Sequence, residues 1–208
     1  MIALGPSANL PPHIALEAEL SRFSSIAALS LLLLAGCDRQ TSDGPQQTET
    51  TAAQKTSTKA EIDRSHAGDL MPTQNVTDPS GNALNLGALQ GTPVLLNLWA
   101  TWCAPCIEEM PQLDELAAEL GGKVRVVTVS QDLEGAEKVE PFFAKNDFAN
   151  LQPWLDPDNR LGFAYGANLP ITVLYDASGR EVWRVAGGYD WSSPEARGAI
   201  DEGIAPKG

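Results

Sequence analysis

The chain has 208 residues and a formal net charge of -13, which allows one ordinary globular domain with appendages or two small domains. A surface this acidic repels phosphate backbones and anionic headgroups, so nucleic acid is excluded as a partner class. Only His13 and His66 supply imidazoles, and both precede the stretch that reads as folded, which excludes any mechanism needing a histidine inside the domain.

Residues 1–22 carry Pro6, Pro11, Pro12, Glu17 and Glu19, a mixture suited neither to a core nor to an ordinary targeting segment. Ile26 to Leu34 then forms an apolar run of about ten residues, the length of a signal-peptide core and short of the roughly 20 needed to span a bilayer. Leu34-Ala35-Gly36-Cys37 follows at once and resembles the lipobox of bacterial lipoproteins. That resemblance implies a signal peptide over residues 1–36 and a lipid on the thiol of Cys37, and Asp38 resembles an inner-membrane retention signal. The segment before Arg22 is long for a signal, so an over-extended start is expected, with translation beginning near Leu20. Residues 37–67 hold few large apolar side chains and cannot offset their ordering entropy, so they read as a flexible tether with a reach on the order of 30 Å. His66, at its end, reads as a solvated linker residue.

The folded part is expected over residues 68–208. Gln74 to Thr77 and Ala83 to Leu86 read as two short strands joined by the turn Asp78-Pro79-Ser80-Gly81. Val94 to Trp99 is a continuous apolar run typical of a strand covered on both faces. Ile107, Met110, Leu113, Ala117 and Leu120 fall at helical spacing, Gly121-Gly122 ends the pattern, and Pro111 should kink it. Val124 to Val129 reads as a second buried strand. Ala136, Val139, Phe142 and Phe143 mark a second helix, with a helical turn over Asp158 to Ala164. Ile171 to Tyr175 and Glu181 to Val185 flank the turn Asp176-Ala177-Ser178-Gly179. Ser193 and Pro194 cap a last helix with Ala196, Ala199, Ile200 and Ile204 inward.

Between the first buried strand and the first helix stands Trp102-Cys103-Ala104-Pro105-Cys106. Thiols so placed can close a disulfide with little chain movement. A thiol at a helix N-terminus meets unpaired amides and the positive end of the macrodipole, which favour thiolate, so Cys103 is expected to be the exposed nucleophile and Cys106 the resolving thiol. A structural disulfide or half a zinc site are the alternatives, and zinc wants four Cys or His ligands that this domain does not offer.

Cysteines two residues apart after an apolar strand, Pro111 beyond them and Leu169-Pro170 opening a later strand together resemble the TlpA/ResA/CcmG family of membrane-tethered thiol-disulfide oxidoreductases. The resemblance spans about Gly68 to Gly203 and implies an α/β thioredoxin-like fold: a central mixed β-sheet flanked by helices, here with an N-terminal β-hairpin extension. It implies that Pro170 is cis and faces the disulfide, and that Trp102, Leu169 and Pro170 meet the substrate. Trp99 reads as packed core. Where thioredoxins carry a buried aspartate this chain has Asn97, which cannot move a proton, whereas Glu109 holds the position of a ResA-like glutamate. The i to i+3 spacing puts Glu109 on the Cys106 side of the helix.

The expected protein is therefore a lipid-anchored protein disulfide reductase on the periplasmic side of the bacterial inner membrane, needing no cofactor beyond the redox-active Cys103–Cys106 pair and no metal. Its expected partners are client protein disulfides, in cytochrome c maturation or copper-site assembly, and a transmembrane thiol reductase as electron donor. Ala104-Pro105 lacks the histidine of strong oxidants, which favours the reducing direction. A copper-binding or metal-delivery module on the same fold is the alternative; Met71 and Met110 are not clustered as copper ligands would be, and the cysteine setting of a peroxidase is absent.

Overall fold

The computed structural model describes residues 60–205 except Ala167. The expected signal segment, Cys37 and the tether up to residue 59 lie outside the described residues.

One mixed sheet of seven strands organises the domain. In chain order the elements are β1 (Asn75–Thr77), β2 (Ala83–Asn85), a 3-10 turn (Leu86–Ala88), β3 (Val94–Trp99), α1 (Ala104–Leu120), β4 (Arg125–Ser130) and α2 (Ala136–Asn146). They continue with β5 (Trp154–Leu155), α3 (Arg160–Tyr165), β6 (Ile171–Tyr175), β7 (Glu181–Ala186) and α4 (Pro194–Ile204). The strand order is β2-β1-β5-β4-β3-β6-β7. β3 lies inside the sheet, parallel to β4 and antiparallel to β6, and all of its residues are buried.

Alternation along β3 sorts its side chains onto two faces. Leu95 and Trp99 join the apolar cluster with Met110, Leu113 and Leu116 of α1, Val139 of α2 and Ile200 of α4. Leu96 and Leu98 join the other cluster, with Leu161 of α3 and Val173 of β6. The same alternation sends Asn97, a polar residue with no exposure, toward the face that α1 covers. Each large side chain so buried contributes about 1.5–3 kcal/mol.

Helix α1 runs through Pro111 as a single element, ending at Gly121 in the left-handed conformation that its missing Cβ permits. Ile204, expected inward, is 37% exposed, because the inward stripe of α4 runs Ala196, Ala199, Ile200 and Gly203. Gly203 takes the inner place because a Cβ there would stand 2.7 Å from Leu174.

The folded part also starts before Gly68. The amide of Asp63 donates to the Arg184 carbonyl at 2.8 Å and the Arg184 amide returns the bond at 2.9 Å, while Ala60 and Ile62 pack on the core. β7 is an edge strand, and residues 63–70 cover backbone groups it would otherwise present unpaired. His66 belongs to this cover, exposed, with its Nδ1 3.3 Å from Asp69. β5, which the sequence reading lacked, pairs with β4 on one side and β1 on the other, so two residues join the N-terminal hairpin to the central sheet.

Candidate redox site

β3 ends at Trp99, and a tight turn, closed by the Cys103 amide on the Ala100 carbonyl at 3.1 Å, delivers the chain to α1. Cys103 is the N-cap of that helix and Pro105 lies in its first turn, where no helical hydrogen bond is lost. Cys103 and Cys106 form a disulfide with their Cα atoms 5.3 Å apart. Cys103 is more sheltered than a fully exposed nucleophile: it keeps 6% exposure against none for Cys106. Its place in the turn, with the sulfur bonded back toward the helix, accounts for the shelter, and the order of access between the two thiols is the expected one.

Neighbouring loops hold this turn. The Asp132 carboxylate, buried just past β4, accepts from the Thr101 amide at 2.9 Å, the Thr101 hydroxyl at 2.6 Å and the Ser130 hydroxyl at 2.8 Å. The Gln131 amide donates to the Trp99 carbonyl at 2.8 Å, which ties the ends of β3 and β4 together. The Leu169–Pro170 peptide is cis, and Gly188 lies against Pro105, where a Cβ would be 3.4 Å from the ring.

Trp102 is 68% exposed and Phe163 of α3 is 79% exposed. Both line a cleft of about 430 Å³ together with Leu169, floored by Gln131, Asn159 and Gly162. The cleft therefore joins the residue before Cys103 to the residue before Pro170.

Glu109 lies one helical turn beyond Cys106 and is 3% exposed, whereas Glu108 faces solvent. Its Oε1 accepts from Asn97 Nδ2 at 2.8 Å, and its Oε2 from Trp191 Nε1 at 3.1 Å and from the Tyr189 amide at 3.3 Å. Asn97 also donates to the Thr172 hydroxyl of β6 at 2.9 Å. Burial pushes the carboxyl up to about 7, against the three donors, which favour the ionised form and pull it down. Asn97, excluded as a proton carrier by its chemistry, is thus a donor to the group that can carry one.

The structure brings Trp102, Cys103, Cys106, Glu109, Leu169 and Pro170 to one end of β3, α1 and β6. Sequence reasoning missed Asp132, Phe163, Tyr189 and Trp191. The signals were faint: an Asp two residues past a strand, and two aromatics in the otherwise small and polar segment Gly187-Gly188-Tyr189-Asp190-Trp191-Ser192.

A Redoxin family profile matches residues 66–200. The thiol-disulfide oxidoreductase ResA of Bacillus cereus is 30% identical over 129 residues, covering 62% of this chain and 74% of ResA. ResA of Geobacillus thermodenitrificans is 32% identical over 117 residues, covering 54% and 65%. Among solved structures, a secreted Mycobacterium tuberculosis disulfide oxidoreductase homologous to DsbE of E. coli superposes with a TM-score of 0.54 at 25% identity, over 62% of this chain and 96% of that one. An exposed lipoprotein thioredoxin of Streptococcus pneumoniae gives the same TM-score and identity, over 62% and 98%. With its cysteine pair at disulfide distance on a thioredoxin-like fold, the chain belongs to the Redoxin family, as a thiol-disulfide oxidoreductase of the TlpA/ResA/CcmG type.

Proposed function

We propose that this protein reduces disulfides of client proteins on the outer face of the bacterial inner membrane, held there by a lipid on Cys37. The observation that carries the reading is the Cys103–Cys106 pair at the N-terminus of α1 with a buried carboxyl one turn further in. In the reduced protein, amides and dipole at the helix N-terminus favour the Cys103 thiolate, by about 0.3–1 kcal/mol for a surface site. That thiolate attacks one sulfur of the client disulfide; the client S–S bond breaks and the other client sulfur leaves as thiolate. The Glu109 carboxylate takes the proton of Cys106, whose sulfur attacks Sγ of Cys103. The mixed disulfide breaks, the client leaves as a dithiol after protonation, and the Cys103–Cys106 disulfide remains. Two electrons have passed from the pair to the client, so a transmembrane thiol reductase must return two.

Trp102, Phe163 and Leu169 support a client-contact role, since they line one cleft beside Cys103 and expose apolar area that a lone monomer gains nothing by showing to water. Pro170 is buried behind that lining, and its place in the contact is through its neighbour Leu169. Clients in cytochrome c maturation or copper-site assembly fit the reading.

A Cys106→Ser variant tests it. Without the resolving thiol, Cys103 stays joined to its client, and mass spectrometry of membrane extracts is expected to recover extracytoplasmic cysteine proteins that reductant releases. Recovery of none, or a reduction potential as oxidising as the strongest disulfide donors, would overturn the reducing role.

A further inference from the structure

Trp191 is fully buried, yet the assigned chemistry has no use for it. Its ring stacks on Trp183 at 6.4 Å and 16°, and Trp183 is fixed in turn by its own indole N–H on the Ala199 carbonyl at 2.9 Å. The Trp191 backbone amide donates to Gln112 Oε1 at 2.8 Å, and Gln112 follows Glu109 by three residues in α1. The loop after β7 is therefore clasped to α1 at two points, and the indole N–H reaches Glu109 Oε2 from a ring with no freedom to turn away.

We propose that Trp191 is a positioning residue for Glu109: its immobilised indole N–H fixes the carboxyl opposite Asn97 and sets how tightly that carboxyl holds its proton. The inference rests on the reading that Glu109 serves the inner thiol. Among the described residues, the groups bonded to the carboxyl are Asn97 of β3, backed by Thr172 of β6, the Tyr189 amide and the Trp191 indole, while Cys106 and Gln112 stand three residues to either side of Glu109 in α1. Of these residues only Tyr189 and, once the disulfide is reduced, Cys106 carry an ionisable side chain; Glu108 and Asp190 are exposed. Among the described residues no charged side chain adds to this balance: burial raises the proton affinity of Glu109 and the three donors oppose it, and Oε2 without Trp191 keeps only the 3.3 Å amide of Tyr189. Loss of a donor to the ionised form raises the proton affinity.

The test replaces the N–H without emptying its site, by Trp191→Phe and by benzothienylalanine at position 191, which keeps the full bicyclic ring but has no donor. The Glu109 carboxyl carbon is followed by NMR against pH in the disulfide form, where no cysteine titrates beside it, and assigned by its absence in Glu109→Gln. The midpoint is expected to rise by about one pH unit in both variants. In the reduced protein, the rate of resolution by Cys106 is expected to fall roughly five-fold at pH 7 and to recover toward pH 9. An unmoved carboxyl midpoint in the benzothienylalanine protein overturns the inference. A midpoint that rises while resolution kinetics stay unchanged upholds Trp191 as the positioning residue and refutes the role of Glu109 in thiol chemistry.

Discussion

Glu109 is a case where burial outweighs hydrogen bonding. Three donors reach its two oxygens, yet the cost of keeping a charge in the buried interior leaves its proton held up to about 7. The folded protein binds this proton more tightly than the unfolded chain does. The contribution of this group to stability is therefore fully present below the ordinary value of 4.5 and is lost as pH rises through about 7, by up to ~3 kcal/mol. In Glu109→Gln this loss disappears. Urea titrations of the oxidised proteins are expected to show the variant gaining on the parent between pH 4.5 and 8; a constant difference across that range would mean that the carboxyl does not titrate there. A group with its midpoint near neutrality is also suited to exchanging a proton with a thiol, since neither direction of transfer is steeply uphill.

At the scale of elements, three features place the site. β3 presents Asn97 on the face that α1 covers, the N-terminus of α1 presents Cys103, and the loop after β7 closes over both by reaching Glu109 and Pro105. β7 holds that loop, and its own outer edge is held by residues 63–70. Asp63→Pro removes the amide that donates to the Arg184 carbonyl at 2.8 Å, while leaving its own carbonyl to accept in return. It is expected to destabilise the domain by about 1 kcal/mol, read as a lower urea midpoint at unchanged slope. No change would show that the stretch before Gly68 rides on the domain without supporting it.

For the whole molecule, the net charge of -13 sets which disulfides approach readily. A cationic disulfide such as cystamine is expected to oxidise the reduced protein several-fold faster than anionic oxidised glutathione at low salt. The ratio should shrink toward its uncharged value as ionic strength rises and screening shortens the reach of the field to about 8 Å at 0.15 M. A ratio independent of salt would assign the preference to the cleft at Trp102 and Phe163 instead of to the overall field.

Much of this protein was legible in its sequence because the responsible physics is local. A short, almost wholly apolar run is typical of a strand covered on both faces, and Val94–Trp99 is such a strand, buried along its whole length. Periodic apolar residues and a glycine stop declared α1, and the cysteine spacing at its start declared the disulfide. The i to i+3 offset put Glu109 beside Cys106. What surrounds that carboxyl was decided elsewhere: Asn97 lies 12 residues away, Tyr189 80 and Trp191 82. β5 was too short to show a period, and residues 60–67 looked polar enough to float free until the open edge of β7 gave their backbone something to pair with. The sequence by itself determined which thiols pair, since a helix start and a two-residue spacing suffice for that. Only the tertiary structure decided how the proton beside them is held, because proton affinity depends on burial and on donors, both of which arrive from chain segments that meet only in the fold.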